Sequence, residues 1–164
     1  MQEEKVVDPV YKELSQFIDV LMRADLSQGQ QKRCFQILSL LTDLERVGDM
    51  AEDIAEYAIE RMDNDVIFSD QATEDLEKLW THAHKTYSMA IQAFQDGDRD
   101  QAQEVCRLEA EFDRMYWHTR AMHIERLEKG ICTAAADVIF TETLRNLERI
   151  SDHADNLGVS VIRN

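Results

Sequence analysis

Glutamate and aspartate recur four residues apart at four places in the chain: Glu4/Asp8, Glu45/Asp49, Glu109/Asp113 and Glu148/Asp152. On a helix, positions i and i+4 stand one above the other, so each pair can present two carboxylates to one point in space. Two such helices packed antiparallel would supply four carboxylates, a donor set for a cation.

The placement of the four pairs is ordered. Glu4 and Glu45 lie 41 residues apart, Glu109 and Glu148 39 apart, and the two sets are offset by 105 and 103 residues. Their neighbours repeat too. Leu41, Leu44, Glu45, Arg46, Asp49, Ala51 and Ile59 return 103 positions later as Leu144, Leu147, Glu148, Arg149, Asp152, Ala154 and Ile162, and Glu4, Asp8 and Tyr11 return 105 later as Glu109, Asp113 and Tyr116. The chain reads as a duplication.

The elements that must position these acids are helices. With 5 Gly and 1 Pro in 164 residues, the composition describes a nearly all-helical chain long enough for a real core. Loop signals divide it into five helical stretches. Asp8-Pro9 suits a cap followed by a first helical position, though the periodic pattern also allows an earlier start, and this stretch runs to about Arg23. A turn over Asp25–Gln30 leads to a helix from about Gln31 to Asn64. Ser69 or Asp70 starts a third helix ending near Gly97, Arg99–Lys129 forms a fourth stopped by Gly130, and Thr133 opens the fifth. Long helices joined by short turns predict an all-α antiparallel bundle.

The duplication makes this layout unequal. Residues 67–164 hold a complete three-helix repeat, whereas residues 1–66 hold two helices that match only the fourth and fifth. The first helix of repeat one is missing: either the chain is a fragment of a larger protein or another chain supplies that helix, and the apolar surface left on the two helices is expected to favour self-association.

The charge of −15 disfavours nucleic acid and anionic membrane surfaces as partners. No apolar run approaches the roughly 20 residues needed to span a bilayer, and no secretory signal opens the chain, so no direct membrane insertion is expected. Cys34, Cys106 and Cys132 are odd in number and lack Cys-x-x-Cys spacing; they read as reduced, mostly buried thiols of a cytosolic protein.

The segments Leu-Glu-Arg-Val-Gly-Asp-Met-Ala-Glu-Asp-Ile-Ala at 44–55 and Leu-Glu-Arg-Ile-Ser-Asp-His-Ala-Asp-Asn-Leu-Gly at 147–158 resemble the repeated motif of PhoU domains. The resemblance covers nearly the whole chain apart from the absent first helix, and implies a fold of tandem three-helix repeats. It implies a regulatory or interaction domain in phosphate uptake or phosphate signalling. Its most similar form is the cytosolic C-terminal domain of a bacterial sodium/phosphate cotransporter, at the inner face of the membrane. Its partners would be the transporter membrane domain or phosphate-signalling proteins. It also implies multinuclear metal sites. The first would use Glu4, Asp8, Glu45 and Asp49 with Asp53 one turn on; the second would use Glu109, Asp113, Glu148 and Asp152 with Asn156 in the corresponding place.

On the helical wheel Glu45 lies at the edge of the apolar stripe, and Asp49 and Asp53 rotate progressively away from it, so the sites belong at the bundle surface. Carboxylates suit magnesium, calcium or manganese, and iron with bridging oxygens; zinc is a further candidate from the resemblance. A solvated acidic edge paired with Arg46 and Arg149 is the alternative. No His has Glu three residues before it, which speaks against a ferritin-like di-iron enzyme. His153 projects about 100° from Asp152 and reads as a surface or partner contact. With no nucleophile beside a base and no Gly-rich phosphate loop, no enzyme is expected. The rival readings are a metal-dependent hydrolase using the carboxylate clusters and a metal-free helical adaptor.

Overall fold

The computed structural model describes residues 4–163, with side chains from Asp8 onward. It contains five helices, α1 (Glu4–Met22), α2 (Gln28–Asp63), α3 (Asp70–Asp96), α4 (Arg99–Glu128) and α5 (Ala134–Ile162), and no strand among the described residues. Contacts divide the chain into two units, Met1–Glu52 and Asp53–Asn164, so the division falls within α2.

Local chemistry accounts for most helix ends. The Ser69 hydroxyl accepts from the Ala72 amide and caps α3, which Gly97 closes in the left-handed conformation at φ +65°. Asp98 follows at once as the cap of α4, its carboxylate accepting from the amides of Asp100 and Gln101 at 3.0 Å each. Gly130, at φ +68°, turns the chain after α4, and Thr133 caps α5 through the Ala136 amide.

Helix α1 takes the earlier of the two starts that the sequence allowed, and α2 starts before the expected Gln31. Pro9 lies inside α1, whose helix begins at Glu4. As the sixth helical residue it has no amide to donate to the Lys5 carbonyl, so it removes one hydrogen bond from the second turn of the helix. Helix α2 starts at Gln28 because Ser27 and Gln30 form a reciprocal capping box. The Gln30 side chain accepts from the Ser27 amide at 2.9 Å, and Ser27 Oγ accepts from the Gln30 amide at 3.4 Å.

In the first unit, α1 turns Ile18 into the interior, with Tyr11 and Met22 half-buried on the same side. In the second unit α3, α4 and α5 pack pairwise into a three-helix bundle. Small residues set how closely they approach. Ala83, Ala90, Ala93, Ala102 and Ala154 are buried, and a Cβ built on Gly158 would meet the Ala102 carbonyl at 3.1 Å and Val105 at 3.2 Å. That contact joins the end of α5 to the start of α4, so the two helices run antiparallel. Phe112, Phe140, Leu144 and Leu157 fill the interior. The last turns of α2 lie beside α5, where Asn146 Nδ2 donates to Asp53 Oδ2 at 3.3 Å.

Polar pairs tie the far end of the bundle together. Arg126 Nη1 of α4 donates to Asp75 Oδ2 of α3 at 2.9 Å, and His123 Nε2 of α4 meets Asp137 Oδ1 of α5 at 2.8 Å. His123 stacks on Phe140 with ring centroids 4.2 Å apart. His153, expected as a surface or partner contact, is buried within this unit. Helix α5 faces two partner helices in this unit and buries a wider arc than a one-sided amphipathic helix. The three cysteines are free, and each is partly exposed.

Candidate metal centre

Helices α4 and α5 bring three carboxylates of the second expected set together. Oxygens of Glu109, Asp113 and Asp152 lie within 4.8 Å of one another, the one such group of three or more His, Cys, Asp or Glu ligand atoms among the described residues. Glu109 and Asp113 share a face of α4 because they are one turn apart. Asp152 reaches them across the α4–α5 interface, whose close approach the Ala102–Gly158 contact permits. Glu109 and Asp113 are half-buried, and Asp152 is exposed. The cluster thus sits at the rim, dry on one side and open on the other.

Glu148 belongs to the same field. Burial raises its carboxyl pKa, and Asp152 and Asp113 raise it further, against a lowering by Arg149 and Arg145. Burial and Asp113 raise Asp152 likewise, with His153 opposing. Glu109 is the most perturbed of the set: burial, then Asp113, Asp155, Asp152 and Glu148, push it up to about 7. Asp155 is a member that spacing did not reveal. It lies three residues beyond Asp152 and outside the i,i+4 pattern, yet it acts on both Glu109 and Asp152. It also accepts a hydrogen bond from the Cys106 thiol, and burial together with that carboxylate raises the thiol to about 12. Asn156, the neutral residue expected in this set, is exposed on α5.

The donor set fits a hard cation: all oxygen, several negative charges, and an open side for water or a further ligand. Like charges held this close raise one another's proton affinity, and a cation would replace those protons.

The first expected set is described only in part. The side chain of Glu4 lies outside the described residues. In the first unit Asp8 and Asp49 are exposed and Glu45 is half-buried. Asp53 falls in the second unit, where it accepts from Asn146.

The raised Glu109 sets the sign of a pH effect. Its ordinary value is 4.5 and its folded value about 7, so between the two the native state holds a proton that the unfolded chain has lost. Stability of the metal-free protein should therefore fall as pH rises from about 4.5 to about 7 and level off above. One pKa unit is about 1.36 kcal/mol, and solvent screening at the rim reduces the effect to roughly 1–2 kcal/mol in all. Urea unfolding in chelator at pH 5 and pH 8 measures this, and Glu109→Gln should flatten the slope.

Residues 1–58 and 76–161 match the PhoU domain. The chain belongs to the PhoU domain family. It is 26% identical over 163 residues to the phosphate-specific transport system accessory protein PhoU homolog 1 of Thermotoga maritima, covering 99% of this chain and 69% of that relative. It is 25% identical over 169 residues to the corresponding homolog of Clostridium acetobutylicum, covering 99% of this chain and 74% of the relative. The crystal structure of PhoU from Pseudomonas aeruginosa superposes with a TM-score of 0.78 at 24% identity, over 97% of this chain and 79% of that one. That likeness establishes the helical fold. Among the described residues, no helix is long and apolar enough to cross a membrane.

Proposed function

We propose that the chain is a regulatory accessory protein of phosphate transport, acting in the cytoplasm at the inner face of the membrane on a transporter or on phosphate-signalling proteins. In this reading the α4–α5 carboxylates hold a divalent or ferric ion. The observation that carries the metal is the convergence of Glu109, Asp113 and Asp152, with Glu148 in the same field. These residues would hold the ion, which would link α4 to α5 and place positive charge on an otherwise acidic surface. Magnesium, manganese, iron and zinc are all compatible with this role.

Family membership supports the transport role, and the relatives reported above are named as accessory proteins of phosphate-specific transport systems. Those names favour an accessory protein over the cotransporter domain expected from the sequence. They also favour regulation over catalysis.

The test is complementation of a bacterial strain lacking its own PhoU protein, reading phosphate uptake and a phosphate-starvation reporter. The chain should restore phosphate-dependent control, and Glu109→Gln with Asp152→Asn should impair it. Release of phosphate from phosphoesters with added Mn²⁺, Mg²⁺ or Zn²⁺ would instead favour the hydrolase reading, and this assay should stay at background.

A further inference from the structure

The second unit holds a cavity of about 280 Å³, walled by the last turns of α2, the segment before α3, the first half of α3 and the middle of α5. None of its lining residues belongs to the carboxylate cluster. Ile54, Phe68, Leu76, Trp80 and Leu147 make the lining almost wholly apolar. At about 30 Å³ for each water-sized group, the volume suits roughly ten non-hydrogen atoms.

Arg61 is the cation in this lining, and two contacts hold it in place. Its Nε donates to the Val66 carbonyl at 3.2 Å, and its Cζ lies 4.3 Å from the centroid of the Phe68 ring. Phe68 is in turn fixed edge-on against buried Phe140, with centroids 5.9 Å apart. Neither contact uses Nη1 or Nη2. In a chain of 33 acids and 18 bases, no carboxylate among the described residues pairs with this guanidinium. The hydroxyls of Thr73 and Thr143, also in the lining, donate to the Ser69 and Ile139 carbonyls. The side-chain donors left to the cavity are therefore Arg61 and the Trp80 indole.

Charge and shape together select the ligand. A guanidinium held by its Nε and its face keeps its Nη groups for an acceptor, and a carboxylate matches that fork with two parallel hydrogen bonds. The apolar walls require the rest of the ligand to be apolar as well. A compact anion such as phosphate would leave those walls without a partner. We propose that the cavity binds a small carboxylic acid with an aromatic or branched aliphatic body, its carboxylate on Arg61 and its body against Ile54, Leu76 and Leu147. Glu77, the acid in the lining, is exposed, and its charge opposes such a ligand at the rim.

Titration of the whole chain with 3-phenylpropionate, followed by the tryptophan indole signals in ¹H–¹⁵N NMR, tests the site without reference to the metal. Trp80 lines the cavity and Trp117 lies on α4 outside it, so the acid should shift the first saturably and leave the second in place; Trp117→Phe assigns the two signals. The uncharged 3-phenylpropanol should bind about tenfold more weakly or worse, having lost the charge-assisted hydrogen bonds. Arg61→Gln should weaken the acid by a similar factor and leave the alcohol unchanged. Glu77→Gln, at an exposed position that the fold does not depend on, should tighten the acid severalfold and keeps the test open if Arg61→Gln unfolds. Absence of a saturable Trp80 shift up to about 10 mM, above the dissociation constant that a ligand of this size reaches at ordinary efficiency, would overturn the proposal. Equal binding of acid and alcohol would overturn it too, as would acid binding that neither variant changes.

Discussion

Saturating manganese is expected to raise the melting temperature of this protein by roughly 5–10 °C. A ligand that binds only the native state at one hundred times its dissociation constant contributes about 2.7 kcal/mol, and for a chain of this size each kcal/mol moves the midpoint by about 2–4 °C. The gain arises because folding alone gathers Glu109, Asp113, Glu148 and Asp152. Burial first, and mutual repulsion after it, raise the Glu109, Glu148 and Asp152 carboxyls, and a bound cation would relieve that repulsion. Glu148→Gln with Asp152→Asn should lose most of the metal response. Without metal, the same variant should be slightly more stable than the wild type at pH 8, because two of the repelling charges are gone. Bound metal and thermal midpoint, followed in one titration for both proteins, give the comparison. Equal binding and equal response would mean that these residues are a solvated acidic face.

Asp75→Ala is expected to cost about 3–5 kcal/mol, the range for removing one partner of a buried ion pair. Arg126 is buried, and Asp75 is the carboxylate that its Nη1 reaches; Nε and Nη2 are buried without a hydrogen-bond partner. Removing Asp75 leaves a buried guanidinium beside the Phe140 ring, whose centroid is 5.4 Å away. The double change Asp75→Leu with Arg126→Leu should recover most of the loss, since apolar replacements of buried pairs are often neutral or stabilising. Urea unfolding of the two variants measures both values. A single-variant cost below about 1 kcal/mol would place the pair among weak, water-screened surface bridges.

Much of this protein could be read from local spacing. Helix ends at Ser69, Gly97, Asp98, Gly130 and Thr133 rest on hydrogen bonds or backbone angles within a few residues, so composition and order suffice to place them. The pairing of Glu109 with Asp113, and of Glu148 with Asp152, is equally local, because a helix sets i and i+4 on one face. The repeat offset linked those pairs to the motifs around Glu45. The reciprocal cap of Ser27 and Gln30 was also within reach, but the apolar pattern begins after it and pulled the expected start of α2 towards Gln31.

Other features needed the packed helices. That Asp152 meets Glu109 and Asp113 depends on how closely α5 approaches α4 at Gly158, and that Asp155 joins them depends on the rotation of α5 about its axis. The burial of His153 follows from α5 touching two helices where amphipathic spacing suggested one apolar face. The pairing of Arg126 with Asp75 spans 51 residues of sequence, and in the sequence both look like surface charges. A spacing rule sees one helix at a time, whereas a charge becomes buried, paired or metal-binding only through what a second helix places opposite it.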